Sequence, residues 1–593
     1  MYNVFMNTET KVCQSCKSEF VIDAQDFAFY EKVQVPPPSW CPLCRAQRRF
    51  SFRNERNLYK RKSDFPEINS GKDIFSMYSV ESGYKVYEKD AWLSDAWDPM
   101  EYGVDVDFTK PFFAQVRDLW KQVPMKNLNV VNGVGSDYCN HFTNPKNCYL
   151  AFNGNDSENV MYSNGLTYTR DSVDVSHMGK SEQCYESFWC TSCSKTFFSS
   201  QCESCVSVMF SKNCVGCTDC FGCVGLRNKQ YHIWNEPYTK EEYFKKLAEL
   251  DWTSHKNIES LKKQAQEFWL TFPNKYLIGS HNSDVSGSYI SNSKNVKDSF
   301  LIRAGEDMRY CQYMQESPGS KDCYDFSIWG GNNSLAYECT ACGIDTSRIK
   351  FCLFVQESVH DIEYSVLCSG SSNLFGCVGL RKKEYCILNR QYSKEAFDEL
   401  RLKIIQHMKD VPYIDAKGRV YSYGEFFPPG FSPWAYNETI AFDYFPMQES
   451  EAKEKGYAWR KPAEKSFTIT LRPESIPDRI SETEDSILNE VIGCEHSGAC
   501  THQCTTAFKI TPAELQFYRD NNLPVPHLCP VCRHHERLAQ RSKLELYDRE
   551  CAKPARTTDS AQSGRCGTIF KTSYSPDRPE IIYCEKCYQQ EVV

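Results

Sequence analysis

Two C-x2-C pairs, Cys13-Gln-Ser-Cys16 and Cys41-Pro-Leu-Cys44, stand near one end of the chain. A two-residue spacer lets one tight turn present two thiolates to one ion, and zinc holds four such sulfurs tetrahedrally at about 2.3 Å. Two pairs make a closed site with no open position, so the spacing predicts a structural metal. The other end repeats the design. CTTAFKITPAELQFYRDNNLPVPHLCPVCRHHERL, from Cys504, aligns without a gap on CKSEFVIDAQDFAFYEKVQVPPPSWCPLCRAQRRF, from Cys16. Its second pair is Cys529/Cys532 and its first is the looser Cys500-Thr-His-Gln-Cys504, so Cys500, Cys504, Cys529 and Cys532 are the expected ligands. Cys494, His496 and His502 stand nearby as substitute ligands for that corner. Cys551, Cys566, Cys584 and Cys587 form a further set, which brings the expected content to about three zinc ions per chain.

The elements that must position these ligands are short. Between the pairs lies a helix, started by Asp23 in one copy and by the capping box Thr511-Pro-Ala-Glu514 in the other. The frame of the third site recurs after Cys44 with its ligands replaced by Ser63, Ser70, Glu88 and Ala91. Such a set cannot cage zinc, so that unit is expected to be held by apolar packing from Tyr78, Tyr84, Tyr87 and Trp92.

The pattern C-x2-C…F…FY…P…CPxCR resembles zinc-ribbon, treble-clef-like domains of bacterial proteins. The whole chain, including YGEFFPPGFSPWAYNETIAFDYFP and EIIYCEKCYQQEVV, resembles a long cysteine-rich zinc-ribbon family of uncultivated small-genome bacteria. The resemblance implies zinc at the terminal cysteines and carries no activity with it.

After Cys44 the sequence RAQRRFSFRNERNLYKRK places Arg45, Arg48, Arg49, Arg53, Arg56, Lys60, Arg61 and Lys62 together, against the single acid Glu55. Spacings of three and four put several of these near one helical face. A basic helix issuing from a zinc knuckle can reach phosphates, so these eight residues are the candidate nucleic-acid contacts. A solvated basic face is the alternative. The formal net charge of -8 requires any nucleic-acid surface to be local.

The middle of the chain has a period of 12: CTSCSKTFFSSQ, CESCVSVMFSKN and CVGCTDCFGCVG begin at Cys190, Cys202 and Cys214. The step runs upstream through Cys148, Val160, Ser172 and Cys184, and recurs at Gly287, Ser299, Cys311, Cys323 and Leu335. Short repeats of small residues, Asn, Ser and aromatics indicate a β-solenoid, because twelve residues are too few for a helical pair. FGCVGLRNKQYHIWNEPYTKEEYF, from Phe221, matches FGCVGLRKKEYCILNRQYSKEAF, from Phe375. Each copy closes with a capped helix, begun by Thr239-Lys-Glu-Glu242 and by Ser393, that would shield the solenoid end. Cysteines here are expected mainly as a stack of small core side chains. Cys214, Cys217, Cys220 and Cys223 are an alternative metal set, although the second copy reads Cys368, Ser371, Leu374 and Cys377 at the same places.

The expected architecture is multidomain and mainly β, with small α+β zinc modules flanking two cysteine-rich β-solenoid repeats with helical caps. Its bounds are a zinc-ribbon/treble-clef module at 1–62, a degenerate unit at 63–125, solenoids at 126–235 and 276–390, a helical cap at 236–275, a cap and linker at 391–480, and zinc modules at 481–550 and 551–593. The thirty-two cysteines would suit a disulfide framework in a secreted protein. MYNVFMNTETKVCQ shows no export signal, so a reducing cytoplasm and Zn2+ are expected instead. There is no GxxxxGK[ST], HExxH or GxSxG motif. The leading expectation is a non-enzymatic zinc protein that binds nucleic acid, RNA or a ribonucleoprotein ahead of DNA. The alternatives are a protein-interaction scaffold and a thiol-rich metal or redox buffer.

Overall fold

A computed structural model describes residues 8–66, 71–315, 318–461, 467–554 and 566–592. Its largest parts, 130–233 and 279–387, are parallel β-solenoids built from a three-residue unit. In the coil 182–193, Glu182, Tyr185, Phe188 and Thr191 bridge in parallel to Ser194, Phe197, Ser200 and Glu203 of the next coil. The following residues, Gln183, Glu186, Trp189 and Ser192, turn the corners with φ between 43° and 56°. The third residues, Cys184, Ser187, Cys190 and Cys193, point into the lumen and are buried. Four triplets therefore close a four-sided coil. Left-handed corners disfavour most L-residues, and Asn and Asp tolerate them best. Asn132, Asn144, Asp156, Asn147, Asn159 and Asp171 fill such corners on the first solenoid.

The narrow lumen explains its composition. Amides of inward residues have no ladder partner, so the Cys184 N–H donates to Ser172 Oγ (3.0 Å), Cys193 to Ser181 Oγ (3.1 Å) and Cys223 to Ser211 Oγ (2.9 Å), each one coil back. Thiols turn to backbone carbonyls, as Cys184 does to Glu182 O and Cys193 to Thr191 O, both at 3.3 Å. Ser, Thr and Cys thus fill the lumen and satisfy its polar backbone together.

The 12-residue step does not run through the second solenoid as expected. Phe300 pairs with Gln312, but Met308 pairs with Cys323, so that coil has 15 residues. The following coils have 13, pairing Cys323 with Ala336 and Ser347 with His360, before the 12-residue step returns at Ser372 and Glu384. Leu335 accordingly lies at a corner, φ 53°, rather than in the lumen. Each solenoid ends where the chain reverses, pairing Ile233 with Glu236 and Ile387 with Arg390 antiparallel. Helices Lys240–Glu249 and Lys394–Asp410 follow, N-capped by Thr239 and Ser393. A further helix, His255–Trp269, lies along the first solenoid, with Lys262 on Glu186 and Trp269 Nε1 donating to Phe210 O (3.2 Å). Among the described residues no helix is long and apolar enough to cross a membrane.

The terminal modules pack crosswise. The N-terminal one sits on the second solenoid, where helix Pro42–Phe50 directs Arg49 to Asp325 Oδ1 (3.1 Å), Ser327 Oγ (2.9 Å) and Tyr310 O (3.5 Å). The C-terminal one sits on the first, where helix Pro530–Ala539 directs Arg537 to Asp174 Oδ1 (2.8 Å), Ser176 Oγ (3.3 Å) and Tyr162 O (2.9 Å). Each contact also holds a second arginine. Arg45 lies 2.8 Å from Asp325 Oδ2, outside hydrogen-bond angles, and over the Tyr310 ring. Arg533 lies 2.6 Å from Asp174 Oδ2 and over the Tyr162 ring.

The stretch after Asp410, expected to be linker, is instead core. Phe426, Phe427, Phe431 and Trp434 are buried between the N-terminal module, helix Phe112–Gln122 and the second solenoid. Glu425 accepts from Arg48 (3.2 Å) and from the Ser39 amide (2.9 Å). Its aromatic density gives it more apolar area to bury than a solvated linker has.

Removing one partner of a buried ion pair strands the other charge and costs roughly 3–5 kcal/mol. Asp174→Ala is therefore expected to release the C-terminal module from the first solenoid without emptying its metal site. Hydrogen exchange should rise across 512–539 while metal content holds. Unchanged exchange there would show that the contact does not anchor the module.

Candidate metal centres

Each end of the chain builds its cage in the same way. A β-hairpin, Glu9–Val12 with Glu19–Ile22, carries Cys13 and Cys16 in its turn. Cys41 is the N-cap of helix Pro42–Phe50, and Cys44 lies in that helix's first turn. The four thiols lie within 4.8 Å of one another, Cys16 and Cys41 at 3.8 Å. A tetrahedron with metal–sulfur bonds of about 2.3 Å has edges of about 3.8 Å. The helix N-terminus adds partial positive charge where thiolates are needed. Hydrogen bonds from Cys41 and Cys44 push Cys13 down, and its bond to Cys13 pushes Cys41 up to about 12. An ion would displace these shared protons.

In the C-terminal module the quartet is Cys494, Cys504, Cys529 and Cys532, not the set with Cys500 that the spacing predicts. Cys494 matches Cys13: its sulfur accepts the Cys529 amide at 3.2 Å, as Cys13 accepts that of Cys41 at 3.2 Å. It also follows a strand, Ile492–Gly493, paired with Ala507–Phe508. An insertion separates Cys494 from Cys504 and hides the match from a search for close pairs. The legible signal was the apolar lead-in VIGC, which SGAC before Cys500 lacks. Cys500 groups instead with His496, His502 and Cys532.

Cys551, Cys566, Cys584 and Cys587 come together as expected, Cys566 and Cys584 at 4.0 Å. Cys584 caps helix Glu585–Glu591, and its amide donates to Cys551 Sγ (3.3 Å). The degenerate unit keeps this skeleton. Hairpin Tyr59–Lys62 with Asp73–Ser76 mirrors Tyr547–Glu550 with Ile569–Thr572, and the Glu88 amide lies 3.4 Å from Ser63 Oγ where Cys584 meets Cys551. Ala91 is buried, Ser70 lies outside the described residues, and Tyr78, Tyr84, Tyr87 and Trp92 form the core.

The residues proposed to reach phosphate are placed otherwise. Arg45, Arg48 and Arg49 are at most 1% exposed and pair with Asp325, Glu338 and Glu425. Arg53 is buried on Glu55 (2.7 Å), and Arg61 on Asp64 (2.7 Å). Arg56 lies over the Phe152 ring, and burial pushes it down to about 10. Only Lys60 and Lys62 are exposed, and both pair with Asp73. The basic run was misread because its periodicity marks one face without saying whether water or carboxylates lie opposite.

Cys214, Cys217, Cys220 and Cys223 do not form a cage either. They stand one per side of a coil, and each thiol meets the carbonyl two residues back at 3.3–3.7 Å. Burial pushes the Cys139, Cys184 and Cys311 thiols up to about 12.

No known family profile matches the chain, and no curated protein matches it. A solved structure described as an acetyltransferase from Desulfovibrio desulfuricans G20 aligns over 49% of this chain and 86% of its own, at 9% identity and a TM-score of 0.09, which carries no argument.

The two kinds of cysteine should separate by reactivity. Chelation is expected to open Cys13, Cys16, Cys41, Cys44 and their C-terminal counterparts to alkylation, while Cys139–Cys386 stay protected. Mass-spectrometric mapping of alkylated thiols with and without chelator checks this. Equal labelling of lumen cysteines would overturn the distinction.

Proposed function

We propose that this chain is a non-enzymatic protein-interaction scaffold in which treble-clef zinc modules lock two solenoids together. One observation carries the reading: the arginines of the knuckle helices are spent on internal ion pairs. Arg45, Arg48 and Arg49, with Arg533 and Arg537, point at solenoid carboxylates and are buried. Zn2+ is the ion that best fits four-thiolate cages with no open position. A metal held at the start of the helix that bears the docking arginines would play a structural role.

The corners of the first solenoid divide into covered and open columns. Tyr162, Asp174, Glu186 and Phe198 lie under the C-terminal module and helix His255–Trp269, and His141, His177 and Trp189 face the second solenoid. Two columns remain open. One carries Asn132, Asn144, Asp156, Tyr168 and Lys180, and the other Asn147, Asn159, Asp171 and Lys195. Side-chain ladders stiffen them, Asn144 donating to Asp156 and Asn159 to Asp171, both at 2.7 Å. A rigid, polar, repeating face of this kind suits a protein partner of matching spacing.

The nucleic-acid reading keeps only Lys60 and Lys62 of its residues. The lumen thiols are buried and turned to backbone carbonyls, an arrangement that suits neither metal nor redox buffering.

Binding of a random single-stranded RNA and of mixed duplex DNA, followed by anisotropy against salt, tests the choice. No salt-dependent binding is expected. A slope of log affinity on log salt near about −3, as four neutralised phosphates on single strands give, would restore nucleic acid as the ligand. Lys180→Glu with Lys195→Glu should lower recovery of co-purifying proteins at least tenfold with metal content unchanged. Unaltered recovery would remove the open columns as the interaction face.

A further inference from the structure

We infer that the C-terminal module holds not one metal ion but two, bridged by the Cys532 thiolate. The inference rests on the zinc reading of the Cys494 quartet and extends it. Cys13 and Cys16 are separated by two residues, whereas their counterparts Cys494 and Cys504 are separated by nine, EHSGACTHQ. That insertion contributes His496, Cys500 and His502. The fold brings the ligand atoms of all three, together with Cys532, within 4.8 Å of one another. Cys532 is also a member of the tetrathiolate quartet.

The geometry fits a shared sulfur. Cys532 Sγ lies 3.9 Å from Cys494 Sγ on one side and 3.7 Å from Cys500 Sγ on the other, both near the tetrahedral edge of about 3.8 Å. The Nδ1 atoms of His496 and His502 are buried and have no hydrogen-bond partner. A buried ring nitrogen without a partner is costly, and a cation is a partner that removes the cost. His496 Nε2 lies 3.9 Å from Glu536, and the His502 ring stacks on His535 at 5.0 Å. Glu536 and the His535 ring thus border the two imidazoles. Glu536 occupies the place that Arg48 has in the N-terminal module, so a carboxylate replaces a guanidinium only in the module that has the insertion.

The second set is two imidazoles and two thiolates, a complete tetrahedron. The second ion is therefore structural too. A bridging thiolate takes no extra ligand from the protein, which explains how three inserted side chains suffice for a whole site.

The test uses the full chain. Native mass spectrometry and elemental analysis of the zinc-loaded protein should give about four ions, against three for separate four-ligand cages. His496→Ala with His502→Ala should lower the count by one, as should Cys500→Ser, while Cys532→Ser lowers it by two. Cobalt provides the signature of the bridge. Two Co2+ ions sharing one sulfur couple magnetically, so the paramagnetic resonance signal of the fully loaded wild type should fall below the sum of its ions. Three ions in both wild type and double histidine variant would overturn the inference, as would four ions with uncoupled cobalt. Cys494→Ser that leaves the wild-type count intact would instead refute the underlying quartet. The wild-type count and cobalt signal decide the matter even where a variant fails to fold.

Discussion

The buried contact between a knuckle-helix arginine and a solenoid-corner aspartate is the constraint on which the assembly depends. It occurs twice, as Arg49 on Asp325 and Arg537 on Asp174, with the same serine and tyrosine carbonyl completing each fork. A guanidinium presents its donors in a fixed plane, so three acceptors define its position and hence that of the helix behind it. The net energy of such a pair is small once desolvation is counted, but breaking it is expensive. Its contribution is therefore to specify one docking geometry.

Metal and docking are linked through a single helix. Cys41 and Cys529 are its N-caps, Cys44 and Cys532 lie in its first turn, and the arginines follow one and five residues after the latter. An ion held at the cage would fix where the helix starts and how it is rotated. That rotation decides which face carries Arg45 and Arg49, or Arg533 and Arg537, toward the solenoid. A metal far from any substrate can in this way organise a surface remote from itself. Because each module sits on the solenoid more distant in sequence, the chain is closed crosswise, and the aromatic stretch through Trp434 fills the space left between the parts.

The cysteines show how one residue type serves two ends. In the cages four thiols converge, and a helix terminus favours their ionised form. In the lumen each thiol is buried and faces a carbonyl, doing what serine does at neighbouring positions with a larger, less polar atom. Cys214 in the first solenoid and Cys368 in the second are lumen residues of this kind, and Ser371 and Leu374 show that the second lumen accepts other small or apolar groups.

Local spacing alone determined most of what is short-range here. The pairs Cys13/Cys16, Cys41/Cys44 and Cys584/Cys587, the capping boxes at Thr239 and Thr511, and the coil period through Cys190, Cys202 and Cys214 each lie within a few residues or one repeat. Bonding rules act at that range. Tertiary structure decided what depends on the far side of a contact. It put Cys494 rather than Cys500 into the quartet, because an insertion displaced the ligand along the chain but not in space. It moved the second solenoid from 12 to 15 and then 13 residues per coil, since a coil can lengthen at a corner without losing its ladders. Above all, it turned the arginines after Cys44 inward. A charged stripe reads the same in sequence whether it faces water, phosphate or Asp325, and only the fold supplies the carboxylates opposite.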